Sequence, residues 1–224
     1  MRPILCVVLD VAGLGPAPSS RGRALFAAGA DWIQLRDRQV DDQQLFETAR
    51  ALVQARSERD HPSPDPKVVI NRRADIALAA GADGVHLGFD GFPPAIAARL
   101  LGSNALIGCS LHAPSEFTAA AEAGAHYAHL APIWDPFSKP ATRPALGTQA
   151  LQHARRISLP ILAQGGVDPE RAALAIEAGA SGIAVSGPLA AGAEARQILK
   201  PLRASLDKAS QSPGIKSKLV FTAK

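Results

Sequence analysis

The sequence predicts a single-domain α/β protein folded as a closed (β/α)8 TIM barrel, and two observations lead to this prediction. A ten-residue phrase recurs four times, as AAGADWIQLR at 27–36, AAGADGVHLG at 79–88, EAGAHYAHLA at 122–131 and EAGASGIAVS at 177–186. Four more apolar runs alternate with these copies, and helix-like stretches separate all of them. Eight strands and eight helices in strict alternation are typical of a TIM barrel.

Each copy of the phrase comprises a helix end, a Gly-Ala turn and a short apolar strand. The glycines of the four copies are expected to end helices in the left-handed conformation, which costs a glycine little. They are Gly29, Gly81, Gly124 and Gly179. The copies are too far apart for one strand–helix unit and about right for two, so they are expected to mark every second strand.

The remaining strands are predicted from runs rich in Val, Ile and Leu without clean alternation, which is typical of parallel strands buried on both faces. These runs span 4–9, 67–71, 106–110 and 160–164. Helices are predicted at 21–28, 42–57, 73–80, 94–101, 115–122, 148–157, 169–177 and 193–205. An open doubly wound sheet is the alternative, but no Gly-x-Gly-x-x-Gly fingerprint follows the first strand.

The chain's charge separates a neutral barrel, residues 1–207, from a basic tail, residues 208–224, that is expected to be flexible. The formal net charge is +4. Lysines stand at 208, 216, 218 and 224, and no acidic residue follows Asp207, so the barrel itself is formally neutral. A neutral surface with 4% aromatic residues argues against a nucleic-acid partner.

The apolar runs are short, and none approaches the ~20 residues that span a bilayer. The chain enters its first strand without a signal peptide, so a cytoplasmic location and no membrane partner are expected. Cys6 and Cys109 lie inside predicted strands and are expected to be buried free thiols. No Cys/His cluster in the sequence suggests zinc.

The carboxyl ends of the strands form the mouth of a TIM barrel, where its active site lies. Gly165-Gly166 follows the seventh strand, and Ser186-Gly187 follows the eighth. Glycines expose backbone N–H groups, and many TIM barrels bind a phosphate between these two loops. A phosphate site is therefore predicted here; the alternative is that the glycines serve tight turns only.

Cationic side chains gather at strand ends or in mouth loops, namely Arg36, Arg38, Arg72, Arg73 and Lys139. They suggest a second anionic group or a pyrophosphate in the site. Arg36 and Lys139 are the best candidates. Arg38 could instead pair with Asp41, and Arg73 with Asp75.

His112 follows the fifth strand, where an imidazole near neutral pH suits proton transfer. The alternative for His112 is a hydrogen-bonded loop histidine. His86 lies within the fourth strand, and His126 and His129 flank or enter the sixth. These three are expected to be structural or surface residues.

Seven segments, in order along the chain, resemble the thiamin phosphate synthase and TenI superfamily. They are QLRDR at 34–38, IN-x-R-x-D at 70–75, GADGVHLG at 81–88, G-x-S-x-H at 108–112, the stretch from Pro132-Ile133 to Lys139, GGV at 165–167 and VS at 185–186. The resemblance covers the chain from Ile4 to about Leu199 and implies a TIM barrel.

By this resemblance, a synthase would join hydroxymethylpyrimidine pyrophosphate to a thiazole phosphate. The pyrophosphate leaves, and the thiazole nitrogen captures the pyrimidine cation. In the family pattern, Mg²⁺ held by two aspartates stabilises the negative charge of the leaving pyrophosphate. At these two positions this chain has Arg72 and Gly91; Asp90 could supply only the second ligand, with a shifted loop. Pro136 and Ser138 stand where the family has threonines.

Because it lacks both aspartates, the chain resembles the TenI branch, whose members lack the metal site and include thiazole tautomerases. The leading hypothesis is therefore a metal-independent thiazole tautomerase without a cofactor, acting on a small phosphorylated thiazole. By resemblance its catalytic residues are His112, which moves the proton, Arg36 and Lys139. The residues expected to bind the substrate and its phosphate are Arg38, Asn71, Arg72, Ser110, Ser138, Gly165, Gly166, Ser186 and Gly187. Arg36 and Arg72 are expected to face the substrate carboxylate.

Three alternatives stand beside the tautomerase. The first is a divergent synthase in which Arg72 and Lys139 take over charge neutralisation from Mg²⁺; a histidine at position 112 also occurs among synthases. The second is a non-catalytic regulatory binder of thiamin intermediates. The third, a sugar phosphate epimerase, lacks paired carboxylate bases at the strand ends. The sequence leaves open whether the chain forms a homo-oligomer.

Overall fold

Eight parallel strands close into a barrel in which each strand pairs with its neighbours in the chain and the last pairs with the first. The computed structural model describes residues 2–57, 62–88, 90–137 and 143–212. The strands are β1 Ile4–Leu9, β2 Trp32–Leu35, β3 Lys67–Asn71, β4 Gly84–Leu87, β5 Leu106–Leu111, β6 Tyr127–Leu130, β7 Ile161–Gln164 and β8 Gly182–Val185. The predicted TIM barrel is confirmed.

Helices surround the barrel. Within the described residues they are α1 Val11–Leu14, α2 Pro18–Ala27, α3 Asp42–Arg56, α4 Ala74–Ala80, α5 Pro94–Leu101, α6 Phe117–Glu122, α7 Gly147–Gln152, α8 Pro169–Ala178, α9 Gly187–Ala190 and α10 Ala195–Ser210. A 3-10 turn at Pro114–Glu116 precedes α6, and another at His153–Arg156 follows α7. No helix in these ranges is long and apolar enough to cross a membrane.

The strands are buried on both faces, as their unbroken apolar runs predict. In β1, Leu5, Val7 and Leu9 belong to the large apolar cluster that includes the surrounding helices. Alternate residues of the same strand, such as Cys6, join a smaller cluster with Trp32 and Tyr127 that fills the barrel interior. Cys6 and Cys109 are buried free thiols, as predicted, and burial raises the pKa of the Cys109 thiol to about 12.

The repeated Gly-Ala turn ends a helix in the same way four times. Gly29, Gly81, Gly124 and Gly179 all have positive φ angles, as predicted. The N–H of the alanine after each glycine bonds the carbonyl five residues earlier, for example Ala30 to Leu25 at 3.1 Å. This is the Schellman hydrogen bond, which satisfies a carbonyl left open at the helix end.

The residue after the Gly-Ala turn has a role that the sequence did not reveal. In three of the four copies its side chain accepts a hydrogen bond from the backbone N–H of a residue near the start of the preceding strand. Asp31 accepts from Leu5 at 2.8 Å, Asp83 from Val68 at 2.7 Å, and His126 Nδ1 from Ile107 at 3.1 Å. His126 is therefore structural, as expected. These contacts fix the amino ends of β1, β3 and β5.

The helices α1, α9 and α10 differ most from prediction. The short helices α1 and α9 follow β1 and β8 and were not predicted. The last helix, predicted at 193–205, runs to Ser210 with Pro201 inside it, past the barrel boundary predicted at residue 207. The tail beyond residue 212 lies outside the described residues, so its flexibility stays a prediction.

Candidate active site

A cavity of about 1050 Å³ opens at the carboxyl ends of the strands, large enough for a small organic ligand. Most of the residues predicted for the site line it, and their roles stay predictions. These are Arg36, Arg38, Asn71, Ser110, His112, Gly165, Gly166, Ser186 and Gly187. Two others, Ser138 and Lys139, lie outside the described residues. Arg72 does not line the cavity itself but lies beside it.

The two glycine loops predicted to bind phosphate meet at the β7–β8 side of the mouth, and we call them the phosphate loops (residues 165–166 and 186–187). Ser186 is the N-cap residue of α9, so the loop after β8 continues directly into a short helix. The loop after β7 has positive φ angles at both Gly165 and Gly166. Both loops can turn backbone N–H groups toward an anion in the cavity.

Gly166 is also required by packing. A Cβ at this position would lie 2.2 Å from the carbonyl oxygen of Asp135, in the loop after β6. That loop is held against the same place by the Trp134 N–H, which donates to the Gly165 carbonyl at 3.2 Å. Gly165 and Gly166 are therefore required for a tight turn, and the same turn can still bind a phosphate.

Three arginines lie at the ends of β2 and β3, and we call them the guanidinium cluster (Arg36, Arg38 and Arg72). They are close enough to affect one another. Partial loss of solvent around Arg36, together with the charges of Arg38 and Arg72, lowers its pKa. Such a gathering of cations favours binding of an anion with several charges.

The carboxylates near the guanidinium cluster are mostly committed to the backbone. Asp10 accepts from the Gly13 N–H at 2.7 Å and caps α1. Asp37 accepts from the N–H groups of Val11 at 3.1 Å and Gln39 at 2.8 Å. Asp90 is the exception, because it pairs with Arg72 at 2.5 Å.

Arg72 has an unusual backbone. Its φ angle is +64°, and it is the one non-glycine residue with positive φ among the described residues. Its side chain reaches Asp90 across Gly88, where a Cβ would lie 2.8 Å from Asp90 Oδ1 and 3.1 Å from Arg72 Nη1. Gly88 lines the cavity, so the ion pair lies at its rim. The hydrogen bond from Arg72 lowers the pKa of the Asp90 carboxyl.

Arg73 points elsewhere. It binds both oxygens of Asp75, at 2.9 and 2.6 Å, and also pairs with Asp42. The local pair with Asp75 considered for Arg73 is therefore present. Asp41, the partner considered for Arg38, caps α3 by accepting from the Gln44 N–H at 2.8 Å.

The residues present do not fit the magnesium site that the resemblance implies. Mg²⁺ binds through hard oxygen ligands, chiefly carboxylates, and the two aspartate positions hold Arg72 and Gly91. Asp90, the nearest substitute, is neutralised by Arg72. Across the described residues, no three His, Cys, Asp or Glu side chains are grouped to hold a metal ion.

The ring and the backbone of His112 both form hydrogen bonds. Its Nδ1 lies 2.8 Å from the carbonyl oxygen of Ala131, which can only accept a hydrogen bond. The neutral ring therefore carries its proton on Nδ1 and its lone pair on Nε2. Its backbone N–H donates to Glu116 at 2.6 Å. The hydrogen-bonded loop histidine considered from the sequence describes this geometry.

Beneath the mouth, the barrel interior contains a polar layer of which the sequence predicted only Asn71 and Ser110. Three pairs of polar side chains lie on neighbouring strands. Gln34 of β2 donates to Asn71 of β3 at 3.3 Å, and His86 of β4 bonds Ser110 of β5 at 2.9 Å. His129 of β6 lies near Gln164 of β7, whose side chain opposes the effect of burial on the pKa of His129. We call these six residues the polar floor; four of them line the cavity, namely Asn71, Ser110, His129 and Gln164.

His86 and His129 are buried, which agrees with the structural role expected for them, but His129 also lines the cavity and can contact a ligand there. Burial lowers the pKa of His86 well below its usual value and that of His129 to about 3, so both rings are neutral at neutral pH. His129 Nε2 and Gln34 Oε1 are buried without a hydrogen-bond partner in the described structure. Side chains two residues apart lie on the same face of a strand, so His129 shares a face of β6 with Tyr127. This alternation could have predicted that His129 faces the barrel interior.

Several known proteins are similar to this chain in sequence and in fold. The family model described as "Thiamine monophosphate synthase" matches residues 18–189. The thiamine-phosphate synthase of Chlorobium phaeovibrioides is 40% identical over 185 residues, which cover 82% of this chain and 85% of the relative. That of Chloroflexus aurantiacus is 37% identical over 203 residues, or 89% of this chain and 91% of the relative. A thiamine phosphate pyrophosphorylase from Pyrococcus furiosus has a TM-score of 0.77 at 26% identity, covering 92% of this chain and 96% of that one.

Proposed function

Because this chain belongs to the thiamine monophosphate synthase family, we propose that it is a thiamine-phosphate synthase. It would join hydroxymethylpyrimidine diphosphate to hydroxyethylthiazole phosphate and release diphosphate. The named relatives that cover most of the chain are synthases, and they do not support the tautomerase that was our leading hypothesis. The synthase alternative is therefore preferred.

One observation carries this proposal. The cavity has two separate regions suited to anions, the guanidinium cluster at β2–β3 and the phosphate loops at β7–β8. In the closed barrel, β1 separates them on one side and β4 to β6 on the other. Two anion regions match two phosphorylated substrates that must meet in one site. A tautomerase substrate carries one phosphate and one carboxylate, and three guanidiniums match the several charges of a diphosphate better than a single carboxylate.

The proposed arrangement assigns one substrate to each region. The diphosphate binds at the guanidinium cluster, and the thiazole phosphate binds at the phosphate loops. The pyrimidine ring lies over the polar floor, whose amide, hydroxyl and imidazole groups complement the nitrogen atoms of a heterocycle. The site thereby holds the two reacting carbon and nitrogen atoms close together.

The reaction balances without proton transfer. The bond between the methylene carbon and the diphosphate oxygen breaks, and its electron pair goes to the oxygen. The lone pair of the thiazole nitrogen forms the new bond to the methylene carbon. Negative charge grows on the leaving diphosphate, so cations fixed beside it lower the barrier.

The test is to incubate the purified protein with both substrates and measure thiamine phosphate by chromatography. We expect stoichiometric thiamine phosphate and diphosphate. A parallel sample receives carboxythiazole phosphate alone, and its tautomer is followed by absorbance. Tautomer conversion without coupling would overturn the proposal in favour of the tautomerase. Tight binding of thiazole phosphate without either reaction would instead indicate the regulatory binder.

A further inference from the structure

The strongest unexplained feature of the site is the ion pair between Arg72 and Asp90 at the cavity rim. A non-glycine residue with φ of +64° is strained, and such strain persists where the surroundings enforce it. Here the Arg72 N–H donates to the His86 carbonyl at 2.8 Å, and Asp90 holds the guanidinium. The rim thus presents a fixed cation.

That cation stands at one of the positions where the family pattern has a metal-binding aspartate. An aspartate pair attracts Mg²⁺, whereas a guanidinium repels it. The Nη1 group of Arg72 is paired with Asp90. A guanidinium has five N–H donors, so donors remain for a second anion. The side chain is about one-third exposed, which leaves it accessible from the cavity rim.

Resting on the proposed function, we propose that Arg72, held in place by Asp90, takes the place of the divalent cation. It binds the leaving diphosphate directly, so both diphosphate binding and coupling proceed without metal. Arg36 and Arg38 add positive charge beside it, and the nearby carboxylates of Asp10 and Asp37 direct hydrogen-bonding oxygens at backbone N–H groups. The electron pair of the broken carbon–oxygen bond stays on a diphosphate oxygen beside these guanidiniums.

Titration calorimetry with inorganic diphosphate tests this directly. We expect binding in buffer with EDTA, and no tightening when Mg²⁺ replaces EDTA. Arg72→Met should weaken metal-free binding by about tenfold or more, since a charged hydrogen bond is lost. Arg73→Met removes the same charge at the next residue and should leave binding within about twofold, because Arg73 faces Asp42 and Asp75. Binding by the wild type only with Mg²⁺ would overturn the proposal.

A reciprocal variant restores the family's aspartates. Aspartate tolerates positive φ better than arginine, so Arg72→Asp should fold well. A Cβ at Gly91 has its nearest contact at 3.1 Å, with the Gly88 carbonyl. The double variant Arg72→Asp, Gly91→Asp should bind diphosphate only with Mg²⁺; metal-free binding equal to that of the wild type would contradict the role of Arg72. Melting temperatures confirm that each variant is folded.

The coupling assay separates this inference from the proposed function. Coupling that proceeds in EDTA supports both. Coupling that requires Mg²⁺ overturns the metal-free inference and leaves the synthase assignment intact. Metal-free diphosphate binding with no coupling under any condition overturns the synthase assignment and leaves Arg72 as an anion-binding residue.

Discussion

At the scale of single residues, His112 distinguishes the candidate reactions. Its Nδ1 is bonded to the Ala131 carbonyl, so Nε2 is its proton-accepting atom when the ring is neutral. A tautomerase needs such a base, whereas the coupling reaction gains and loses no proton. His112 is therefore expected to position substrate in a synthase rather than to transfer a proton.

We expect His112→Ala to lower kcat for coupling by less than about tenfold. General acid–base groups contribute about 10²–10⁴-fold. The matched control is His153→Ala, since the exposed His153 also has Nδ1 near a backbone carbonyl, that of Gln149 at 3.2 Å. This control should change nothing measurable. A loss beyond about a hundredfold with His112→Ala alone would show that the ring moves a proton.

At the scale of elements, the last helix is tied to the start of the barrel. Arg203 of α10 donates to Asp31 at 2.9 Å and to the Pro3 carbonyl at 2.8 Å, and both charged groups are buried. Burial raises the pKa of Asp31 despite the opposing charges of Arg203 and Arg2. A buried pair of this kind is costly to break, because one charge is left behind.

Arg203→Met should therefore lower the free energy of unfolding by about 3–5 kcal/mol, as measured by urea denaturation. The double variant Asp31→Asn, Arg203→Met should recover part of this loss, because no carboxylate remains buried. Arg196→Met, an exposed change on the same helix, should stay within about 0.5 kcal/mol of the wild type. A similarly small effect of Arg203→Met would refute the coupling between α10 and Asp31.

Comparison of particular elements shows what the sequence could predict. The bounds of β1, β3 and α5 agree with prediction, because Val/Ile/Leu runs and a proline-led helix start are local signals. The helices α1 and α9 were missed, since one short turn rich in Gly or Pro has no periodicity. The phosphate loops and the arginines of the guanidinium cluster were predicted because the carboxyl ends of all eight parallel strands lie at one end of the barrel. Of the polar floor, Asn71 and Ser110 were predicted as binding residues. The other four members were missed because the pairs form only when the barrel closes.

At the scale of the whole molecule, the barrel interior makes stability depend on pH. His86 and His129 are neutral when folded, with the pKa of His129 lowered to about 3 by burial. The unfolded chain binds a proton on each near the usual value of 6.5. Below that pH the unfolded state holds more protons than the folded state, so stability falls as pH falls.

The expected result is a free energy of unfolding that decreases by up to about 1.4 kcal/mol per pH unit for His129 between about pH 6.5 and 3, with a further decrease from His86 below about pH 6.5. Urea denaturation at a series of pH values measures it. His129→Gln should flatten this dependence relative to the wild type, because glutamine does not titrate. Parallel curves for the two proteins would contradict a neutral buried His129. The carboxylates common to both proteins cancel in this comparison.

The side chains that fix the strand starts, Asp31, Asp83 and His126, lie at the opposite end of the barrel from the residues of the mouth. Exchanging an acidic residue for a basic one at position 72 leaves those contacts untouched. Natural selection can therefore revise the chemistry of this scaffold without first rebuilding its architecture. Closely related barrels could then have diverged between metal-dependent and metal-free catalysis through a few mutations at one rim.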